Sequence, residues 1–336
     1  MRRREFLAGG LAFTAGVSRA AAQPATAMRR LAIFSLTEPT ALMVEKSENR
    51  YYRALFSELR RLGHVEGENL TVERYGREKN VSGPAALIAE VVRSNPDVVY
   101  VLGPGGLLFK RETTTIPIVA MTPDPVAIGL VQSLARPGGN ITGVSVDAGP
   151  SVYGKRIALL REILPSMSKL AFLTLKFGSK ADWEKLHDPI RAAAEAARLD
   201  LLTIPLELPT SDAAYREAVE QAVRGGANAM MVGDSPDAMT NRRLVAGLIG
   251  AARLPAVYPF AEFVEEGGLI AYSYDLVELN KRVANNIDAI LRGKNAGEIP
   301  YWQAAKFELS INLKTAIALG LTVPASLLAV ADNVIE

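Results

Sequence analysis

The stretch Val98-Val99-Tyr100-Val101-Leu102 is followed directly by Gly103-Pro104-Gly105-Gly106, so an unbroken apolar run ends in a glycine-rich turn. An apolar run without alternation is typical of a strand that is buried on both faces of a parallel sheet. Ile116–Met121 repeats the pattern and ends at Thr122-Pro123-Asp124-Pro125. Because helical patterns separate these runs, the sequence predicts an α/β fold with doubly wound parallel sheets.

The alternation of strands and helices continues on both sides of this stretch and starts again after residue 150. A chain of 336 residues is long enough for about two domains. We therefore predict two doubly wound lobes of similar size, 29–146 and 147–275, joined by a hinge. The predicted helices of the second lobe are Tyr153–Leu164, Trp183–Ala197, Ala213–Gly225 and Thr240–Ala252.

Residues 1–22 have the features of an export signal. Arg3-Arg4-Glu5-Phe6-Leu7 has the twin-arginine form, and Ala20-Ala21-Ala22 offers an A-x-A cleavage site. The apolar stretch between them is too short and too rich in glycine to span a bilayer. We expect a cleaved twin-arginine-type signal peptide and a periplasmic protein; a Sec signal and a retained N-terminal anchor are the alternatives.

The formal net charge of +2 comes from this segment, because removing residues 1–22 leaves 34 basic and 35 acidic residues. A near-neutral mature chain lacks the basic surface with which proteins bind nucleic acid or anionic lipid. The chain contains no cysteine, which rules out disulfides, thiolate metal ligands and a lipid-anchored cysteine. We therefore expect a monomer that binds no nucleic acid and does not insert directly into a membrane after cleavage.

Small, polar and aromatic residues follow most of the predicted strands. In doubly wound sheets, ligands bind at the carboxyl ends of the strands, so two facing lobes form a cleft that can close on a small molecule. For each residue taken singly, turn formation or helix capping is the alternative interpretation. The candidate ligand-binding residues are Thr37, Gly105, Thr122, Asp124, Lys176, Phe177, Asp234, Ser235, Tyr258, Tyr272 and Tyr274.

The sequence shows no pattern typical of catalysis or metal binding. His64 lies in a turn and His187 on a predicted helical surface, and neither has a second histidine or a cysteine nearby. The glycine-rich turn at 103–106 lacks the Gly-Lys-Ser/Thr ending of a phosphate loop. Asp124 and Asp234 would suit an acid/base pair, but aspartates at strand ends are too common to support one. We expect no enzymatic activity, no metal and no cofactor.

Several blocks of sequence resemble one family over almost the whole mature chain. Residues 129–145, GLVQSLARPGGNITGVS, are similar to a signature of the ABC-transporter substrate-binding family that includes the TrpX-like tryptophan- and phenylalanine-binding proteins. The other similar blocks are GHVEGEN at 63–69, DPV at 124–126, LPAVY at 254–258, EGGLI at 266–270, KFELSINLKTA at 306–316, ALGLTVP at 318–324 and ADNVIE at 331–336.

The resemblance implies a type I periplasmic-binding fold with three crossovers between the lobes and the ligand in the cleft. It implies that the chain returns to the first lobe over about 276–320, and that about 321–336 belongs to the second lobe. It also places Thr122 and Asp124 at the cleft wall and Tyr258 at a strand end. The implied role is to deliver a small molecule to an ABC permease and its ATPase. A sensory module that presents its closed form to a membrane receptor is the alternative.

The chain departs from the family pattern at two strand ends that we assign to the cleft. Relatives usually read Tyr-Gly-Pro-Asp where this chain has Tyr272-Ser273-Tyr274-Asp275, and many carry Asn-Pro where it has Lys176-Phe177-Gly178. The specificity of relatives for aromatic amino acids therefore does not transfer automatically.

The candidate residues themselves indicate a class of ligand. Tyr258, Tyr272, Tyr274 and Phe177 offer an aromatic wall, although packing at the strand ends is the alternative for the tyrosines. Lys176 would favour a carboxylate, and either strand-end aspartate would favour an ammonium group. These residues predict an aromatic or branched amino acid, or an aromatic carboxylate.

Overall fold

Two β-sheets with helices packed against them divide the chain into two lobes. A computed structural model describes residues 28–103, 105–146, 151–176, 180–304 and 306–336. The strands are β1 Arg29–Ser35, β2 Leu70–Tyr75, β3 Val98–Leu102, β4 Ile118–Thr122, β5 Ile141–Ser145, β6 Lys169–Lys176, β7 Asp200–Glu207, β8 Ala229–Val232, β9 Ala256–Tyr258, β10 Ile270–Tyr274, β11 Trp302–Gln303, β12 Phe307–Asn312 and β13 Asn333–Ile335. The helices are α1 Arg50–Arg61, α2 Pro84–Ser94, α3 Gly106–Glu112, α4 Ser151–Ile163, α5 Lys180–Leu186, α6 Asp188–Ala196, α7 Asp212–Arg224, α8 Pro236–Thr240, α9 Arg242–Ala251, α10 Ala261–Glu265, α11 Leu276–Leu291, α12 Leu313–Leu319 and α13 Ala325–Val330.

The first sheet is parallel throughout, with the strand order β11-β5-β4-β3-β1-β2. Alternate residues of its central strands enter two different cores. Leu31, Val98 and Val119 pack on one face, while Ala32 and Val99 pack on the other. Since both faces are covered, the central strands carry continuous apolar runs rather than alternating ones.

The second sheet has the order β13-β12-β10-β9-β8-β6-β7. Strands β6 to β10 are parallel, whereas β12 runs antiparallel to β10, with Ile311 opposite Ile270, and β13 runs parallel to β12. The two sheets confirm the predicted α/β fold with two parallel-dominated, doubly wound lobes.

The lobes are interleaved in the chain. The path leaves the first sheet after β5, and it returns after β10 through α11, which packs against α1 and β5. It leaves again after β11, because β12 pairs with β10 in the second sheet. The return segment expected over about 276–320 is therefore shorter in the structure, and the second lobe's C-terminal segment begins at β12 instead of about 321.

The helix expected over Trp183–Ala197 consists of α5 and α6, which meet at His187 just before Pro189. A proline near the start of a helix ends the preceding one, because its ring and missing N–H disrupt an ongoing helix. His187 is buried rather than on a surface, and its ring nitrogens contact Thr174 Oγ1 at 2.9 Å and the Trp183 carbonyl oxygen at 2.5 Å.

Across the described residues, no helix is both long enough and apolar enough to cross a bilayer.

Candidate ligand-binding cavity

A cavity lies where the carboxyl-terminal edges of the two sheets face each other. It holds about 610 Å³ of empty space, part of which is open solvent. Both lobes contribute to its wall, and we call it the interlobe cavity. Its lining residues are Glu38, Asn49, Tyr51, Tyr52, Tyr100, Leu102, Gly103, Met121, Thr122, Pro123, Val146, Asp234, Ser235, Pro236, Met239, Phe260, Tyr274, Leu276 and Asn280.

Glu38 and Tyr52 form the most polar part of the first-lobe wall. Glu38 is held by its backbone, since its N–H donates to Ser35 Oγ and its carbonyl oxygen accepts from the Arg77 N–H. Its side chain is buried, yet Glu38 Oε2 and the Tyr52 hydroxyl have no hydrogen-bond partner in the described structure. Burial raises the pKa of Glu38 to about 7. The nearby Tyr52 hydroxyl and the charge of Arg77 oppose this rise in the pKa of Glu38 only in part. The side chains of Glu38 and Tyr52 do not reach regular hydrogen-bond geometry with each other.

Tyr100 and Asn280 form the floor of the cavity. The Tyr100 hydroxyl donates weakly to Asn280 Oδ1 at 3.4 Å, and Asn280 Nδ2 donates to the Leu276 carbonyl oxygen at 2.8 Å. Burial raises the pKa of Tyr100 well above its ordinary value, and the Glu38 carboxylate adds to this rise. Tyr100 therefore stays neutral and offers a ligand an aromatic surface and a hydroxyl.

Asp234 is the acidic group of the second-lobe wall, and it is already paired. Arg156 on α4 is fully buried and binds both carboxylate oxygens of Asp234, at 2.6 and 3.0 Å, while its Nε donates to the Tyr272 carbonyl oxygen. The Tyr274 hydroxyl donates a third hydrogen bond to Asp234 at 3.1 Å. Burial disfavours the charged form of Arg156, but Asp234 outweighs it and the pKa of Arg156 is raised.

Aromatic rings complete the second-lobe wall. Tyr274 meets Phe260 edge to face, with 5.7 Å between the ring centroids. Gly103 faces this wall from the first lobe, and its φ of +84° lies in the left-handed region that favours glycine. A side chain at 103 would also meet Pro236 across the cleft at 3.3 Å. The lobes therefore approach each other closely at the first glycine of the glycine-rich turn.

An interlobe contact lies at the mouth of the cavity. The first-lobe residues Arg50 and Tyr51 both bind Glu262 of α10 in the second lobe, Arg50 through an ion pair of 2.5 Å and Tyr51 through its hydroxyl. Glu262 is buried, and this burial raises its pKa against the opposing charge of Arg50. These three residues hold the lobes together, and we refer to them as the latch.

Four of the predicted ligand-binding residues line the interlobe cavity. Thr122, Asp234, Ser235 and Tyr274 come together there from the two sheets. Ser235 also caps α8, because its hydroxyl oxygen accepts a hydrogen bond from the Ala238 N–H. One of the hydrogen bonds that this hydroxyl can form is therefore already made within the protein. Their contact with a ligand stays a prediction.

Four other predicted residues have local structural roles away from this cavity. Thr37 is buried beside Ser35, and Gly105 lies against the Phe34 ring, where a side chain would clash. The Asp124 carboxylate accepts from the N–H groups of the turn that follows it. Lys176 is paired with Glu207 at 2.7 Å, and both side chains are exposed.

The remaining predicted residues are three aromatics. Tyr258 is buried and stacks on Phe263, with 5.0 Å between the ring centroids. Tyr272 stacks on Phe307 at 5.1 Å. Phe177 lies outside the described residues. Tyr258 and Tyr272 thus pack at strand ends, as the alternative interpretation proposed. Tyr274 packs against Phe260 and also lines the cavity.

Sequence reasoning did not single out Glu38, Tyr52 or Arg156. Glu38 follows the predicted residue Thr37 by one position, so its place at a strand end was an available signal. Arg156 falls at helical spacing among buried apolar residues of α4, and a lone arginine in such a row indicates a buried acidic partner. Tyr52 is indistinguishable in sequence from a core residue of α1.

A smaller hollow adjoins the interlobe cavity on the second-lobe side. It shares Pro123, Val146 and Asp234 with the cavity and is also lined by Thr174 and His187. Burial lowers the pKa of His187, so its ring is neutral at neutral pH. Throughout the described ranges, no three His, Cys, Asp or Glu side chains are grouped so as to hold a metal ion.

Comparisons with known proteins agree with this architecture. The chain is similar to a tyrosine-binding protein of Clostridioides difficile (strain R20291), with 24% identity over 296 residues that cover 87% of this chain and 81% of that protein. It is similar in fold to an ABC domain from Streptococcus pneumonia solved in complex with L-Trp, with 22% identity, a TM-score of 0.78, and coverage of 92% of this chain and 100% of that one. A conserved domain protein from Vibrio cholerae gives 24% identity, a TM-score of 0.78, and coverage of 92% and 99%.

The resemblance read from the sequence is confirmed at the level of the family. The family model described as "ABC transporter substrate binding protein" matches residues 41–335, which is nearly all of the described chain. This family binds ligands and is not enzymatic. The chain belongs to the ABC transporter substrate binding protein family.

Proposed function

We propose that this protein is the exported solute-binding component of an ABC import system and that it binds an aromatic amino acid in the interlobe cavity. The observation that carries the proposal is the composition of the wall. Tyr100 and Tyr274 face the cavity from opposite lobes, and Glu38, a buried carboxylate whose Oε2 has no regular hydrogen bond among the described residues, also lines it. A tyrosine-binding relative and a fold relative with bound L-Trp support the same class of ligand.

The protein binds its ligand by closing the two lobes about the hinge. Because both lobes contribute to the wall, a ligand gains all its contacts only when the lobes are closed, and it therefore shifts the population towards the closed form. Formation of the latch adds to this shift. The closed form then presents the ligand to a permease served by a cytoplasmic ATPase.

The export part of the proposal depends on residues 1–22, which lie outside the described residues. A monomer released into the periplasm by cleavage after Ala22 fits the twin-arginine-type segment. Mass spectrometry of the protein from a periplasmic fraction tests this. The expected N-terminal residue is Gln23, and an intact N-terminus in the cytoplasmic fraction would contradict export.

A thermal-shift screen tests the ligand class. A ligand that binds only the folded protein raises the unfolding midpoint, by an amount that grows with its concentration relative to Kd. We expect L-tyrosine, L-tryptophan or L-phenylalanine to give the largest shift, with branched amino acids weaker and sugars without effect. A panel in which sugars or aliphatic acids shift the midpoint and aromatic amino acids do not would overturn the proposal.

A further inference from the structure

We propose that Glu38 is the amine-binding residue of the interlobe cavity, and that its ligands include aromatic amines that lack a carboxylate. This inference rests on the proposed function, since it concerns the same cavity. Its starting point is two neighbouring buried atoms, Glu38 Oε2 and the Tyr52 hydroxyl, which form no regular hydrogen bond with each other or with another described residue. As whole residues, Glu38 and Tyr52 are 4% and 2% exposed, so bulk water does not satisfy these atoms, and a ligand reaches the Glu38 carboxylate through the cavity that this residue lines. A buried polar group without a partner is costly, and a ligand that supplies hydrogen-bond donors removes this cost.

The second acidic group of the wall does not compete for the amine. Asp234 accepts two hydrogen bonds from Arg156 and one from Tyr274, and the guanidinium neutralises its charge. Glu38, by contrast, forms no ion pair within 4 Å in the described part of the chain. An ammonium group placed in the cavity is therefore drawn to Glu38 rather than to Asp234.

The described part of the cavity wall has no cation to match a ligand carboxylate. Among the described residues, no lysine, arginine or histidine lines it. The internal positions outside the described ranges, 104, 147–150, 177–179 and 305, contain none of these residues in the sequence either. Lys176, the residue expected to bind a carboxylate, is paired with Glu207 and does not line the cavity.

On the described lining of the interlobe cavity, a ligand carboxylate thus finds only neutral donors, such as the hydroxyl of Thr122 or the amide of Asn49. Arg50, Arg53 and Arg242 line an adjoining opening rather than the cavity itself. A charge-assisted bond to Glu38 is about twice as strong as a bond between neutral groups. The amine is therefore the polar group that decides affinity, and removing the carboxylate from the ligand removes a group that Glu38 repels. The ligand class therefore extends from aromatic amino acids to aromatic amines.

The proposal also makes binding dependent on pH. The titratable groups that face Glu38 are Tyr52 on α1, Tyr100 on β3 and Arg77 after β2, and across the cavity Asp234 stays paired with Arg156. Burial raises the pKa of Glu38 to about 7. Glu38 must lose its proton to bind an ammonium group, whereas the ligand amine stays protonated up to a pH of about 9 to 10.

Calorimetric titration of the wild-type protein with three matched compounds tests the proposal. L-Tyrosine carries both polar groups, tyramine lacks the carboxylate, and 3-(4-hydroxyphenyl)propionate lacks the amine. We expect tyramine to bind within about tenfold of L-tyrosine, and the propionate to bind about 100-fold more weakly than tyramine. The affinity for tyramine should fall about tenfold from pH 8 to pH 6, since Glu38 becomes protonated over this range.

Two variants complete the test. Glu38→Gln should weaken tyramine binding at least about tenfold at pH 8 and abolish the pH dependence. Glu207→Gln removes an exposed carboxylate outside the cavity and should change neither property. If the propionate binds as tightly as tyramine, or if E38Q leaves affinity and pH dependence unchanged, the amine site is overturned while the proposed function stands. If none of the three compounds nor any aromatic amino acid binds, both proposals are overturned.

Discussion

Arg156 and Asp234 form a buried two-point ion pair directly behind the cavity wall, with Nη1 2.6 Å from Oδ2 and Nη2 3.0 Å from Oδ1. The pair links α4 to the loop after β8, and the Tyr274 hydroxyl joins it from β10. Three separate parts of the second lobe are thus held in one arrangement at the strand ends. Asp234 is consequently a rigid element of the wall rather than a free ligand-binding carboxylate.

Breaking this pair should destabilise the protein strongly. In Arg156→Met, Asp234 loses the guanidinium that binds both its oxygens, and removing one partner of a buried ion pair costs about 3–5 kcal/mol. Denaturant unfolding followed by circular dichroism measures the change in the free energy of unfolding. The matched control is Arg224→Met, which breaks an exposed ion pair with Glu217 and should cost less than about 1 kcal/mol. Similar losses in the two variants would contradict this account of Arg156.

Glu38 should make the ligand-free protein less stable as the pH rises. Because its folded-state pKa of about 7 lies above the ordinary 4.5, folding takes up a proton between these values. Its contribution to stability is fully present below pH 4.5 and is lost as the pH rises through 7, a change of about 3 kcal/mol. Glu38→Gln should therefore unfold at a higher denaturant concentration than the wild type at pH 8, with this advantage absent at pH 4.5. An equal or lower midpoint at pH 8 would show that Glu38 is not buried as described.

The latch should contribute to closure rather than to folding. In Glu262→Gln the ion pair with Arg50 is lost, so closing the lobes becomes less favourable and the affinity for ligand should fall about three- to tenfold. Calorimetry measures the affinity, and small-angle scattering of the ligand-free protein should show a larger radius of gyration. Glu195→Gln, an exposed position on α6 of the second lobe, is the control and should change neither quantity. Unchanged affinity in E262Q would remove the latch from the mechanism.

Lys176 offers a test of the carboxylate hypothesis drawn from the sequence. Its Nζ is paired with Glu207 at an exposed site, so Lys176→Met should leave the affinity for L-tyrosine within about twofold of the wild type. A loss of tenfold or more by calorimetry would mean that Lys176 reaches the ligand when the lobes close.

The fold was largely predictable because a strand that is buried on both faces of its sheet has a continuous apolar run in the sequence. Val98–Leu102 and Ile118–Thr122 are central strands whose neighbours all run parallel, and their apolar runs show no alternation. The placement of β12 was not predictable from such runs. Its position beside β10 depends on antiparallel pairing across the interlobe crossovers, a long-range contact that local composition does not encode.

The site was predictable only at the level of strand ends. A strand end sets the neighbourhood of a residue, but the direction of its side chain depends on packing. Tyr258 and Tyr274 both end strands of the second sheet, yet Tyr258 stacks on Phe263 in the core while Tyr274 reaches the cavity. Glu38 was missed for the converse reason, since a glutamate in a loop is typically exposed and its burial follows from the packing of α1 over it.

The most direct test of the binding account is a crystal structure of the wild-type protein grown with L-tyrosine or L-tryptophan. We expect an aromatic ring between Tyr100 of the first lobe and Tyr274 of the second, with the ligand nitrogen within about 3.2 Å of a Glu38 carboxylate oxygen. A ligand seated in the hollow beside His187, with the interlobe cavity unfilled, would contradict it.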